Sequence, residues 1–193
     1  MAVLILGLVI FIGVHSIRLV AAPWRDAQIA RLGVKGWRAA FAVLSLAGLV
    51  LTIYGYGLAR RSPPMLVWFP PFWMPHVTAL LTLIAFVVIA AAYLPGNHIK
   101  RALGHPFLCG IALWALAHLL ANGTLHDIVL FGAFFVWAVA ALVAGRRRDR
   151  AAGIVHPPGD VSRDGLVIAI GAVAWAIFAF YLHGPLIGVR PLG

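Results

Sequence analysis

Long apolar stretches recur along this chain and decide what it can fold into. Six of them, each about 20 residues long, carry very few charged side chains: 2–22, 39–59, 76–94, 102–121, 128–145 and 165–189. Strands of a membrane barrel alternate apolar and polar residues, and these stretches do not. A lone span in lipid satisfies its backbone hydrogen bonds only as a helix. The sequence therefore predicts an all-α polytopic membrane bundle with six transmembrane helices, in a single domain covering 1–193.

The composition excludes other classes of protein. The chain is 63% hydrophobic and 10% charged, whereas soluble domains are about 25% charged. A water-soluble fold and a disordered chain are both excluded. The net charge of +10 comes from basic residues that border the apolar stretches. We therefore expect a lipid bilayer as the partner and no nucleic acid. The single cysteine, Cys109, excludes an intrachain disulfide.

Basic residues predict the orientation in the membrane. If six spans alternate, all 15 Lys and Arg residues except Arg60, Arg61 and Arg190 fall on one side. Basic loops face the cytoplasm, so we expect a multi-pass inner-membrane protein with both termini in the periplasm. The first stretch lacks a basic start and a small-residue cleavage site, so we expect it to remain as a span.

One loop stands apart by composition. Segment 61–75 contains five prolines among four aromatic residues. Proline stops helices, and aromatic rings favour the headgroup layer. We expect an interfacial cap, which acts either as a plain aromatic belt or as a lid over a ligand site.

Two histidines fall at membrane depth, where ionisable residues by default suggest a functional site. They are His15 in the first stretch and His118 in the fourth. Arg18 follows His15 on the same helical face and suits a haem propionate. The residues alone leave three roles open: haem ligation, hydrogen bonding between helices, and a zinc or proton site. His105 and His118 differ by about 220° around a helix, so they face different neighbours.

The fourth stretch carries a recognisable combination of motifs. Gly104-His105-Pro106 precedes a Trp-x-x-x-His-x-x-x-Asn-Gly pattern formed by Trp114, His118, Asn122 and Gly123. With the His15-Ser16 pair, the size and the number of spans, the chain resembles the NnrU family of integral membrane proteins over essentially its whole length.

This resemblance implies a function. It implies a redox-linked role in denitrification, in nitrite and nitric oxide metabolism, and kinship with the zeta-carotene isomerase, a membrane protein with haem b. Carried over, the isomerase's proposed iron ligands fall on His15 and His118, and its His-Pro histidine falls on His105. Its ligand-switching cysteine falls on Ala115, which puts isomerase activity in doubt.

We therefore expect an integral-membrane b-type haem protein. His15 and His118 would be the iron ligands, with His105 in place of His118, or His76 in place of His15, as alternatives that match better in depth. The other residues expected to bind the cofactor are Arg18 near a propionate, Trp114 and Asn122 at the pocket, and His105. Its partners would include an apolar or diatomic ligand and an electron-transfer protein. The alternatives are a haem-dependent isomerase of an apolar polyene, and a non-catalytic membrane assembly protein. A transporter is disfavoured, because the sequence suggests no buried carboxylate.

Overall fold

The computed structural model describes residues 1–191 and is helical almost throughout. Its helices are α1 Ala2–Val20, α2 Ala22–Arg61, α3 Met74–Tyr93, α4 His98–Leu103, α5 Pro106–Ala121, α6 Leu125–Ala151, α7 Val161–Ile177 and α8 His183–Ile187. A π-helical turn, Phe178–Leu182, joins α7 to α8, so that one apolar rod runs through Val161–Ile187.

The predicted helical membrane bundle is confirmed. Five helical rods in the described part of the chain are long and apolar enough to cross a membrane: α1, α2, α3, α6 and the rod Val161–Ile187. The sixth apolar helix, α5, has 16 residues. The count of six holds only if this short helix crosses with the others.

Two helices differ in extent from the apolar stretches that they contain or follow. α2 starts at Ala22, well before the stretch 39–59, and bends at Gly33, which has a φ of 71°. The stretch 102–121 is not one continuous helix. It breaks at Gly104, also with a positive φ of 71°, and α5 begins at Pro106. Glycine permits this backbone conformation, and proline then suits the first turn of the next helix.

The crossing helices follow one another in an order that differs from chain order. Through direct contacts, α2 packs on α1, α1 on α6, α6 on α5, α5 on α3, and α3 on α7. The side of the bundle where α1 turns into α2 and where α6 ends carries most of the arginines, and we call it the arginine-rich face. We call the opposite side, which holds residues 62–73 and 122–125, the terminal face.

The cap predicted over residues 61–75 is non-helical from 62 to 73 and docks on the turn between α5 and α6. The backbone N–H of Val67 donates to the carbonyl of Gly123 at 2.8 Å, and that of Leu125 donates to Met65 at 2.9 Å. Gly123 leaves no room for a side chain here, because an added Cβ would lie 1.9 Å from the Trp68 carbonyl oxygen. The cap therefore rests on the turn that follows the Trp-x-x-x-His motif.

Candidate functional site

His15 lies in the middle of an aromatic layer. Its Nδ1 donates to the carbonyl of Phe11 one turn earlier, at 2.7 Å. Its ring centroid lies 4.3 Å from that of Phe11, 5.0 Å from Phe41 and 5.9 Å from Trp137. A carbonyl only accepts, so the neutral ring carries its proton on Nδ1 and leaves the lone pair of Nε2 free.

A cavity of about 500 Å³ opens beside this ring, towards the arginine-rich face. His15 and Arg18 line it from α1, and Arg25, Trp37, Arg38 and Phe41 line it from α2, with aliphatic side chains completing the wall. The volume lies within the usual range for cofactor and ligand sites, about 300–1,000 Å³. The cavity thus joins one imidazole, two aromatic rings and three guanidinium groups.

His118 repeats the arrangement of His15 on another helix. Its Nδ1 donates to the carbonyl of Trp114 one turn earlier, at 2.9 Å, which again leaves Nε2 as the free nitrogen. Its ring stacks on Phe131 with centroids 4.6 Å apart, and the Trp114 ring lies 5.0 Å away. The Asn122 side chain donates to the His118 carbonyl at 2.8 Å and so closes the end of α5.

Helix α6 separates the two histidines. His15 contacts Trp137 and His118 contacts Phe131, and these two residues are six positions apart, about 9 Å along the axis of α6. Between them, Phe134 lies 5.8 Å from both Phe11 and Trp114. A continuous chain of aromatic contacts therefore links the two imidazoles, and His118 does not line the cavity beside His15.

His105 lies elsewhere, at the arginine-rich face. Its Nε2 is 3.0 Å from Oδ2 of Asp149 near the end of α6, and Nε2 of His156 lies 3.7 Å from the same oxygen. His105 packs against Gly145, where an added Cβ would lie 2.8 Å from Nε2. This contact fastens the start of α5 to α6. Over residues 1–191 no group of three His, Cys, Asp or Glu side chains is placed to hold a metal ion.

A second polar site, absent from the sequence-based predictions, lies at the terminal face. Asp127 is 5% exposed, and the hydroxyl of Tyr56 donates to its Oδ1 at 2.6 Å. Thr124 donates to Oδ2 of Asp127, and its hydroxyl lies 3.0 Å from Nε2 of His126. We call Tyr56, Thr124, His126 and Asp127 the Asp127 cluster. The expectation that no carboxylate is buried was therefore wrong.

Several residues of the two sites could not be identified from the sequence, because their positions depend on how the helices pack against one another. Phe131, Phe134 and Trp137 recur at a spacing of three, a stripe that reads as ordinary core packing. Arg38 reaches the cavity only because α2 folds back along α1. Tyr56 and Asp127 are 71 positions apart. The adjacent His126 and Asp127 at the start of an apolar stretch were the one available signal.

The fold and these sites define a class: helical membrane proteins with imidazoles, an arginine-lined cavity and a carboxylate inside the bundle. A sequence model described as NnrU protein matches residues 3–191, nearly the whole chain, so the chain belongs to the NnrU family. Searches of the curated proteins and of the solved structures gave no match.

Proposed function

We propose that this chain is an inner-membrane b-type haem protein with a redox-linked role in nitrite and nitric oxide metabolism. The observation that supports the haem proposal is that two imidazoles make the same hydrogen bond and so favour the same tautomer. His15 and His118 each donate Nδ1–H to the carbonyl one turn back, so each presents an unprotonated Nε2. Haem iron binds this nitrogen of a neutral imidazole. The denitrification role comes from the resemblance to the NnrU family.

The residues around the cavity fit the group. Haem is a flat apolar macrocycle with two propionates at one edge. The cavity offers Trp37, Phe41 and aliphatic side chains to the macrocycle, and the guanidinium groups of Arg18, Arg25 and Arg38 to the propionates. His15 lies on the wall, where it would hold the iron. A haem there would supply an iron that changes oxidation state and binds diatomic molecules.

His118 is the proposed second ligand. Phe11 and Phe134 belong to the chain of rings between the two histidines, so they have to make room if both nitrogens bind one iron. If they did not move, His15 alone would hold the iron, which could then bind a diatomic ligand.

One observation favours a second candidate, haem-dependent isomerisation of an apolar polyene. An apolar groove of about 670 Å³ runs between α1 and α6, from Ile5 to Val20 on one wall and from Val129 to Ala144 on the other. Trp137 lines this groove and also contacts His15. A long apolar molecule in the groove would therefore lie beside the proposed site. Ala115, where the isomerase has its cysteine, counts against it.

The visible spectrum of the purified protein tests the proposal. We expect a Soret band in protein from haem-replete cells and loss of most of its intensity in His15→Ala, because the ligand in the cavity is gone. A low-spin spectrum that becomes high-spin in His118→Ala indicates two histidine ligands. Carbon monoxide binding by the reduced wild-type protein indicates one ligand and an open position.

His98→Ala is the matched control. His98 lies at the arginine-rich face, 47% exposed and paired with Asp164, away from the cavity. This variant should keep the full spectrum. A folded, colourless wild-type protein contradicts the haem proposal and leaves the membrane assembly protein as the better reading.

A further inference from the structure

The Asp127 cluster buries a carboxyl group in the first turn of α6 and surrounds it with hydroxyl and imidazole groups. The chain has five acidic residues, all aspartates, and Asp127 is the one that lies near the terminal face. A buried carboxylate is costly, and a neutral asparagine could join α2 to α6 at lower cost. Carboxylates beside histidines in membrane proteins are typical of proton pathways.

The hydrogen bonds of the cluster fix where its protons are. The hydroxyl of Thr124 has one proton and donates it to Oδ2 of Asp127. The Thr124 oxygen must then accept a hydrogen bond from Nε2 of His126, which lies 3.0 Å away. A neutral His126 therefore has its proton on Nε2 and a free lone pair on Nδ1. Tyr56 donates to the other oxygen of Asp127. His126, Thr124 and Asp127 form one continuous line of donors and acceptors.

We propose that Asp127 is a proton-exchange site connected to the solution at the terminal face through Thr124 and His126. A proton from water binds Nδ1 of His126. The proton on Nε2 then passes to the Thr124 oxygen as the hydroxyl proton passes to Oδ2 of Asp127. One proton enters and one carboxylic acid forms, and the imidazole returns to its neutral state with the proton on Nδ1. Exchange with water restores the Nε2 form.

The charges around the cluster are few. From α2, Arg60 lies over the Tyr56 ring, 5.8 Å from its centroid, and from α6 His126 lies 3.8 Å from Oδ2 of Asp127. From α5, His118 faces the cluster across the ring of Phe131, on which it stacks. Apart from His126, no basic side chain in the described residues pairs with Asp127, so a proton can bind its carboxyl group without breaking a salt bridge with Lys or Arg.

The position of Asp127 relates the exchanged proton to the proposed ligand His118. Phe131 lies one turn inward on the same face of α6, and its ring stacks on His118. Protonation of Asp127 would therefore change the charge one helical turn from the ring that stacks on the proposed ligand. Reduction of nitrite or nitric oxide consumes protons, and this site would hold one nearby. The link to that chemistry rests on the proposed function; the exchange with solution does not.

Infrared spectroscopy of the purified wild-type chain tests the exchange. As pH falls, we expect one sharp carbonyl band from a buried carboxylic acid, which shifts at once in deuterated water. Asp127→Asn should lose the band. Thr124→Val keeps the shape of Thr124 but removes the hydroxyl, so the band should remain while its deuterium exchange slows about a hundredfold. The absence of glutamate makes the band easy to assign.

Asp26→Asn is the matched control, because Asp26 is 70% exposed and paired with Arg25. It should leave the buried band intact. The proposal is overturned if wild type shows no such band, or if Thr124→Val exchanges as fast as wild type. The second criterion stands even if Asp127→Asn fails to fold. A colourless protein that shows the band refutes haem binding alone, and a haem protein without it refutes the exchange site alone.

Discussion

A single helical hydrogen bond decides which nitrogen of His15 and of His118 is available for chemistry. Each ring donates Nδ1–H to a carbonyl four residues earlier, at 2.7 Å and 2.9 Å. The bond holds the ring orientation and the tautomer together, as a separate supporting residue does in many metal sites. In this chain a carbonyl of the same helix orients each ring, so no polar side chain is needed beside the histidine.

The arginines of the cavity should hold the propionates of the proposed haem. Each of Arg18 and Arg38 is exposed, so its contribution is that of a surface ion pair, up to about 1 kcal/mol. Arg18→Gln and Arg38→Gln should therefore each weaken haem binding by up to about fivefold. The measurement is haem titration of the apoprotein followed in the Soret band.

Arg31→Gln is the control for these variants, since Arg31 is exposed on the same stretch of α2 and does not line the cavity. Equal weakening by Arg31→Gln would show a general charge effect rather than a role of the cavity arginines.

Only part of the candidate site could be predicted from sequence. The spacing of His15 and Arg18 predicts a shared helical face, and both line one cavity. Trp37 and Arg38 reach that cavity because α2 bends at Gly33, and no periodicity predicts how a chain turns there. The Asp127 cluster depends on the packing of α2 against α6, which brings together residues distant in sequence.

Helices α1 and α2 pack closely because glycines lie at their contact. A Cβ added to Gly7 would lie 2.3 Å from the backbone nitrogen of Thr52. A Cβ added to Gly48 would lie 2.6 Å from the backbone nitrogen of Phe11, and one added to Gly55 would lie 2.3 Å from that of Leu4. Helices in lipid associate by such close packing, since they gain little from the hydrophobic effect. Both walls of the cavity depend on this contact.

Gly55→Ala should destabilise the protein by about 1–3 kcal/mol, the usual range for overpacking. The obstacle is backbone, which a side-chain rotation cannot clear. The measurement is the free energy of unfolding in mixed micelles. Gly57→Ala, two residues on, is the control, because an added Cβ meets nothing within 4 Å there. If the two variants unfold alike, helix propensity rather than packing decides the result.

The apolar stretches predicted the membrane helices well, because hydropathy alone decides which segments enter lipid. Their ends were harder. The fourth stretch stays apolar across Gly104, His105 and Pro106, so composition gives no sign that the helix breaks there. The break requires the positive φ of Gly104, which only the folded backbone shows. It also places His105 beside Asp149, at the arginine-rich face.

At the scale of the whole molecule, helix α6 organises the bundle. It contacts α1, α2 and α5, and so carries the aromatic stripe, the carboxylate of Asp127 and the partner of His105. The neighbour order could not be predicted from the sequence, because the helices are apolar on all sides and amphipathic periodicity is weak. Charge, by contrast, gives a definite prediction of orientation.

The arginine-rich face should lie in the cytoplasm. Cys109 is the one cysteine, so Cys109→Ala provides a background for single-cysteine labelling. Ser62→Cys, exposed at the terminal face, should react with a membrane-impermeant maleimide in intact cells with a permeable outer membrane. Ser162→Cys, exposed at the start of α7 on the arginine-rich face, should react only after the inner membrane is opened. The reverse pattern would place the Asp127 cluster on the cytoplasmic side, and its proton would then come from the cytoplasm.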